Sequence, residues 1–94
     1  SNYYLPVQTE RKYEKMNKYD SPIWQNIKKN THARKDEPEY RTDGELTYRW
    51  DHTHGDIEVY KNLGKNKISE KHSIRADDSE PYRYPEEPRI KKFK

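Results

Sequence analysis

Apolar and polar residues alternate on both sides of a short break in the middle of the chain, and no other feature constrains the fold as much. Leu46, Tyr48 and Trp50 alternate with Thr47, Arg49 and Asp51; after the break, Ile57 and Val59 alternate with Asp56, Glu58 and Tyr60. A period of two belongs to a β-strand with one buried face. Setting Trp50 opposite Ile57 brings Tyr48 opposite Val59, so the apolar residues share one face, which is what pins a register. The break at residues 52–55 is then a four-residue hairpin connection. The other face carries Asp51 beside Asp56, Arg49 beside Glu58 and Thr47 beside Tyr60.

Around this hairpin the 94 residues are expected to form one small domain belonging to a longer chain. Only twelve residues are Leu, Ile, Val or Phe and 39% are charged, a balance that leans towards disorder. Nine tyrosines and two tryptophans pull the other way by supplying bulk for a thin core. With no cysteine, the fold does not depend on disulfides, and thiolate zinc sites are excluded. No apolar run is long enough to span a membrane, and no signal peptide is expected. The formal net charge of +3 permits a polyanionic partner without demanding one.

Residues 1–44 read as a helical and loop N-terminal part, and 45–94 as an antiparallel sheet whose hairpin, 45–61, carries the polar face. Residues 9–19 are helix-compatible. Residues 22–30 form a short helix, with Ser21 as cap, Pro22 at the first position, and Ile23, Trp24 and Ile27 on one face. Residues 31–44 and 76–88 are expected to be loops. The run 67–74 is a third strand with Ile68 and Ile74 on the core parity, and 89–93 a short last one. The class is α+β: short N-terminal helices followed by a small twisted antiparallel sheet.

The polar face raises the question of chemistry. Exposed sheet faces are ordinarily charged, and a cross-strand pair such as Arg49 with Glu58 contributes only ~0.2–1 kcal/mol. Two carboxylates placed opposite each other are less ordinary, since they repel unless a cation sits nearby. His54 lies in the turn directly above them. A carboxylate, an imidazole and an arginine within one side-chain length suit metal-free RNA cleavage: base, acid and phosphate clamp. On this reading Glu58 is the base, His54 the acid, Asp51 the partner of His54, and Arg49 a candidate clamp.

The segment "WDHTHGDIEVY" resembles the signature of the cytotoxic ribonuclease domain of the ribosome-inactivating colicins, Trp-Asp-x-x-His-Gly-acid-x-Glu-x-Tyr. Trp50, Asp51, His54, Gly55, Asp56, Glu58 and Tyr60 fit it, as does Tyr48 two residues before the tryptophan. The tail "EPRIKKF" is similar to that family's basic C-terminus, where an arginine completes the site; Arg89 is the matching position. The resemblance implies Asp51, His54, Glu58 and Arg89 as catalytic residues on a toxin-nuclease fold of the barnase, colicin-ribonuclease and RelE-like kind. It also implies cleavage of 16S ribosomal RNA in the decoding centre and a cognate immunity protein. Delivery from a producing bacterium into a target-cell cytoplasm follows from the same likeness. Related toxin tips of contact-dependent growth inhibition systems cleave transfer RNA instead, which would admit a translation factor as a further partner. A non-catalytic RNA- or protein-binding module is the alternative of a different class. The segment 76–88 is foreign to the colicin domain.

Arg49, Asp56, Tyr60, Lys91 and Lys92 are expected on the substrate side of the site. No cofactor is expected, and no metal: His52 and His54 would point different ways and have no evident third ligand. His72, on the parity of Ile68 and Ile74, reads as a core-edge histidine. Tyr82 and Tyr84 stand equally as base-stacking rings or as covers for the core.

Overall fold

The computed structural model describes residues 15–94, an α+β domain with one α-helix and a seven-stranded antiparallel sheet. The helix expected over residues 9–19 lies mostly outside the described residues. Within them, 15–17 are not helical, and Lys18–Asp20 makes a single 3-10 turn capped by the Asn17 side chain.

Helix α1 (Pro22–Asn30) forms where the capping signals predict it. The Ser21 hydroxyl accepts from the Trp24 amide at 3.0 Å and donates to the Ala76 carbonyl at 2.6 Å, so one buried hydroxyl both caps the helix and ties it to the sheet. The helix buries Trp24 and Ile27 against Trp50, Ile57, Val59, Ile74 and Ala76; the two indoles meet edge to face at 6.0 Å.

The strands are β1 (His32–Ala33), β2 (Tyr40–Thr42), β3 (Leu46–Asp51), β4 (Asp56–Gly64), β5 (Lys67–Arg75), β6 (Asp78–Arg83) and β7 (Ile90–Lys92). They lie in the order β1-β2-β3-β4-β5-β6, and β7 also pairs with β5. The central hairpin has the register required by its alternation, with Trp50 opposite Ile57, Tyr48 opposite Val59, Arg49 opposite Glu58 and Asp51 opposite Asp56.

Both expected loops contain strands. In 31–44, Tyr40 and Thr42 turn inward, and Arg41 between them reaches back to the carbonyl of Thr31; two- and three-residue strands are too short to show a period. In 76–88, β6 pairs with β5 at the sheet edge, the one place where a strand tolerates Pro81, which has no N–H to donate.

The third strand also departs from expectation. Val59 pairs with His72 and Tyr60 with Glu70, leaving Lys71 as an extra residue. This bulge reverses the facing of everything before it. Ile74 joins the helix-side core, while Ile68 joins a second core on the opposite face with Tyr40, Tyr60 and Phe93. The polar face of the hairpin is therefore partly roofed. Beyond the bulge, β6 holds the C-terminal half of β5 and β7 the N-terminal half, and the segment between them passes beside the bulge.

Candidate active site

The hairpin turn is folded around one carboxylate. The Asp51 carbonyl accepts from the Gly55 amide at 2.7 Å, and its Oδ1 accepts from the amides of Thr53 and His54 at 2.9 and 3.2 Å. Gly55 closes the turn at φ +66°, a backbone region that costs a residue with a Cβ. Asp51 Oδ2 lies 2.7 Å from Nδ1 of His54, so the carboxylate that organises the turn also orients the imidazole. Burial alone would raise the Asp51 carboxyl. The His54 ring and the two turn amides outweigh it and hold the group below the ordinary aspartate value. The His54 side chain is 52% exposed; with Nδ1 anchored, Nε2 is the atom free to meet a substrate.

Glu58 projects from β4 on the same face. Its Oε1 accepts from Nη1 of Arg49 at 2.9 Å and from the Tyr60 hydroxyl at 2.6 Å, and Oε2 has no hydrogen-bond partner among the described residues. Burial, reinforced by the bond to Glu58, raises the Tyr60 phenol and keeps it a neutral donor. One oxygen is thus fixed and the other left as a proton acceptor. Asp51, His54 and Glu58 line a single cleft of about 240 Å³. The imidazole and the two carboxylates come together as the hairpin register requires, in a recess rather than on an open face.

A second hollow, of about 530 Å³, shares Glu58, Tyr60 and Arg89 with the first and runs on past Arg49, Lys91 and Lys92. Arg89 sits on the common rim, 82% exposed, with Nε and Nη2 both on the Glu70 carboxylate. That pairing is the leading cause holding Glu70 below the ordinary glutamate range. Lys91 lies over the rings of Tyr40 and Phe93 at 5.6 and 5.8 Å.

Asp56 does not stand on the substrate side as expected. It is 2% exposed, and its Oδ2 accepts from the Tyr82 hydroxyl and from Nη2 of Arg83 at 2.9 Å. Burial raises the Asp56 carboxyl despite both donors, and Oδ1 is buried without a hydrogen-bond partner among the described residues. The cation that the facing aspartates call for is therefore Arg83, from the edge strand missed in the sequence. An inward arginine three residues before Glu86 and Glu87, in a stretch with three prolines, left no periodic signal.

Tyr82 and Tyr84 part ways. Tyr82, itself still 37% exposed, lies between the guanidiniums of Arg75 and Arg83, at 4.2 and 5.6 Å, and turns its hydroxyl onto Asp56, its phenol pushed up to about 12 by burial and by Asp56. Tyr84 is exposed at the lip of the cleft and meets the ring of His72 edge to face at 5.8 Å. His72 is half-buried opposite the core residue Val59 and also lines the cleft; burial and the neighbouring Lys71 lower its pKa. His52 lies away from His54, beside Trp50 and Tyr19. One side-chain nitrogen or oxygen each from Asp51, His54 and Asp56 falls within 4.8 Å of the others; the sequence placed these three side by side but did not single them out as a ligand set. Asp51 and His54 are joined by a 2.7 Å hydrogen bond, and Asp56 is separately paired with Arg83 at 2.9 Å.

No family model, curated protein or solved structure matches the chain.

Proposed function

We propose that this domain is a metal-free endoribonuclease of a bacterial antagonistic toxin, with a toxin-nuclease fold. The observation that carries the reading is the convergence of Asp51, His54 and Glu58 on one cleft, with Nε2 of the imidazole and Oε2 of the glutamate left unengaged among the described residues. Glu58 takes the proton of a ribose 2′-hydroxyl, and that oxygen attacks the adjacent phosphorus. The bond from phosphorus to the 5′-oxygen breaks as His54 Nε2 protonates the departing oxygen. The products are a 2′,3′-cyclic phosphate and a free 5′-hydroxyl. Asp51 fixes the ring and balances its charge, each acid–base role being worth ~10²–10⁴ in rate. Tyr84 offers an exposed ring for an unstacked base, and the hollow lined by Arg49, Arg89, Lys91 and Lys92 tracks the phosphate backbone.

The hairpin's likeness to the colicin ribonucleases makes 16S ribosomal RNA in the decoding centre the first substrate to test, and transfer RNA, with or without a translation factor, the second. A cognate immunity protein, acidic where it meets the basic hollow, is the partner this implies, and the cytoplasm of a target cell is the place of action. Purified protein incubated with total bacterial RNA in EDTA should produce discrete cuts ending in cyclic phosphate, and Glu58→Gln and His54→Ala should abolish them. Intact RNA with folded wild-type protein overturns the proposal and favours a binding module.

A further inference from the structure

The proposed reaction needs a cation on the non-bridging phosphoryl oxygens, where negative charge builds. Three arginines are candidates, Arg83 and Arg89 lining the cleft and Arg49 lining the adjoining hollow, and their existing commitments differ. Arg49 is held between Glu58 and Glu39, at 2.9 and 3.4 Å, against the very carboxylate assigned as base. Arg89 presents two nitrogens of its fork to Glu70 and otherwise stands in solvent. Among the described residues Arg83 makes one side-chain hydrogen bond, through Nη2 to Asp56.

The sheet register places Arg83 usefully. Arg49 pairs with Glu58, Glu58 with Ser73, and Ser73 with Arg83, so the four form one row across β3, β4, β5 and β6. Glu58 and Arg83 are two strand spacings apart, about 10 Å between backbones. The residue between them is a serine, too short to fill the gap. The cleft occupies that space, with His54 at one end of it. Asp56 is buried deeply enough to act as a fixed post. Through it the guanidinium is held by one Nη2 hydrogen, and the second Nη2 hydrogen is left to form, together with Nε or Nη1, the two-pronged contact that suits phosphate.

We infer that Arg83 is the catalytic cation of this site: it binds the scissile phosphate between Glu58 and His54 and stabilises the developing charge, with Asp56 as its positioning residue. This inference rests on the ribonuclease reading. It assigns the part to an edge strand the colicin likeness does not reach, and leaves Arg89 as a rim contact.

The test compares full-length wild type, Arg83→Gln, Arg83→Lys and Arg89→Gln in single-turnover RNA cleavage. Binding of a 2′-deoxy version of the same substrate and thermal melting are measured alongside. Arg83→Gln should slow cleavage ~10²–10³-fold, the size of losing one preorganised donor to an oxyanion, while binding of the deoxy analogue changes several-fold at most. Arg83→Lys keeps the ion pair to Asp56 but loses the fork, and should fall about 10-fold or more at an unchanged melting temperature. Arg89→Gln should lose less than either. If Arg83→Gln fails to fold, Arg83→Lys decides. Wild-type rates in the folded Arg83 variants, or a larger loss in Arg89→Gln, overturn the assignment and leave the nuclease reading standing. A folded wild type that cleaves no RNA overturns both.

Discussion

The two faces of the central hairpin are made by the same two strands and put to opposite uses. On the helix side Trp50, Ile57, Val59 and Ile74 close against Trp24 and Ile27 in an apolar layer. On the other side the intervening residues, Asp51, Asp56, Glu58 and Tyr60, are also largely covered, yet they are held by hydrogen bonds to turn amides, arginines and tyrosines. A pleated strand divides its side chains between two faces by parity, and here the second face is shared between the hydrogen-bonded cleft and the smaller aromatic core that Tyr60 joins. Burial is therefore a poor guide to which face is which: Asp56 is more deeply covered than Trp50, at 2% against 5% exposed.

The sharpest way to break the comparison is to change neighbours. Glu58→Gln should lower cleavage by ~10²–10⁴ with a melting temperature close to wild type, because the amide keeps an acceptor for Tyr60. The adjacent Ile57→Ala should do the reverse. It empties a fully buried site and should cost ~2–5 kcal/mol in denaturant unfolding, with the rate per folded molecule retained at low temperature. If both changes affect the same observable, the division by parity fails. Ser21→Ala, on the helix side, should cost ~0.5–2 kcal/mol from the lost cap and leave cleavage alone. The smallest effect comes with pH. Burial lowers the pKa of His72, so the unfolded chain takes up a proton before the folded one as pH falls below the ordinary histidine value near 6.5. Stability should decline across that interval, and His72→Asn should flatten that part of the pH profile in thermal melts.

Much of this was legible from residue order. The hairpin, its register and its turn followed from one requirement, that four apolar residues share a face, and helix α1 followed from Ser21 and Pro22. The strands β1 and β2 were not legible, because Tyr40 and Thr42 alternate with a single Arg41 and then stop. Pro81 and the surrounding acids hid β6, since a proline is read as a break unless the strand is known to be an edge. With β6 went Arg83, the contact of His72 with Tyr84 at the cleft and the separate fates of Tyr82 and Tyr84. Those depend on which strands end up neighbours, and no local pattern states that.

The unpaired Lys71 carries a further meaning for how such a site can be altered. It acts as a frame-shift in three dimensions: one inserted amino acid turns the first half of β5 upside down relative to the second. Shortening the chain there by one would send Ile68 to the wrong side, dissolve the aromatic cluster around Phe93, and cast the last strand loose together with the arginine and lysines it presents. A change in length at this spot would thus remodel the hollow that Arg89, Lys91 and Lys92 line while substituting none of Asp51, His54 and Glu58.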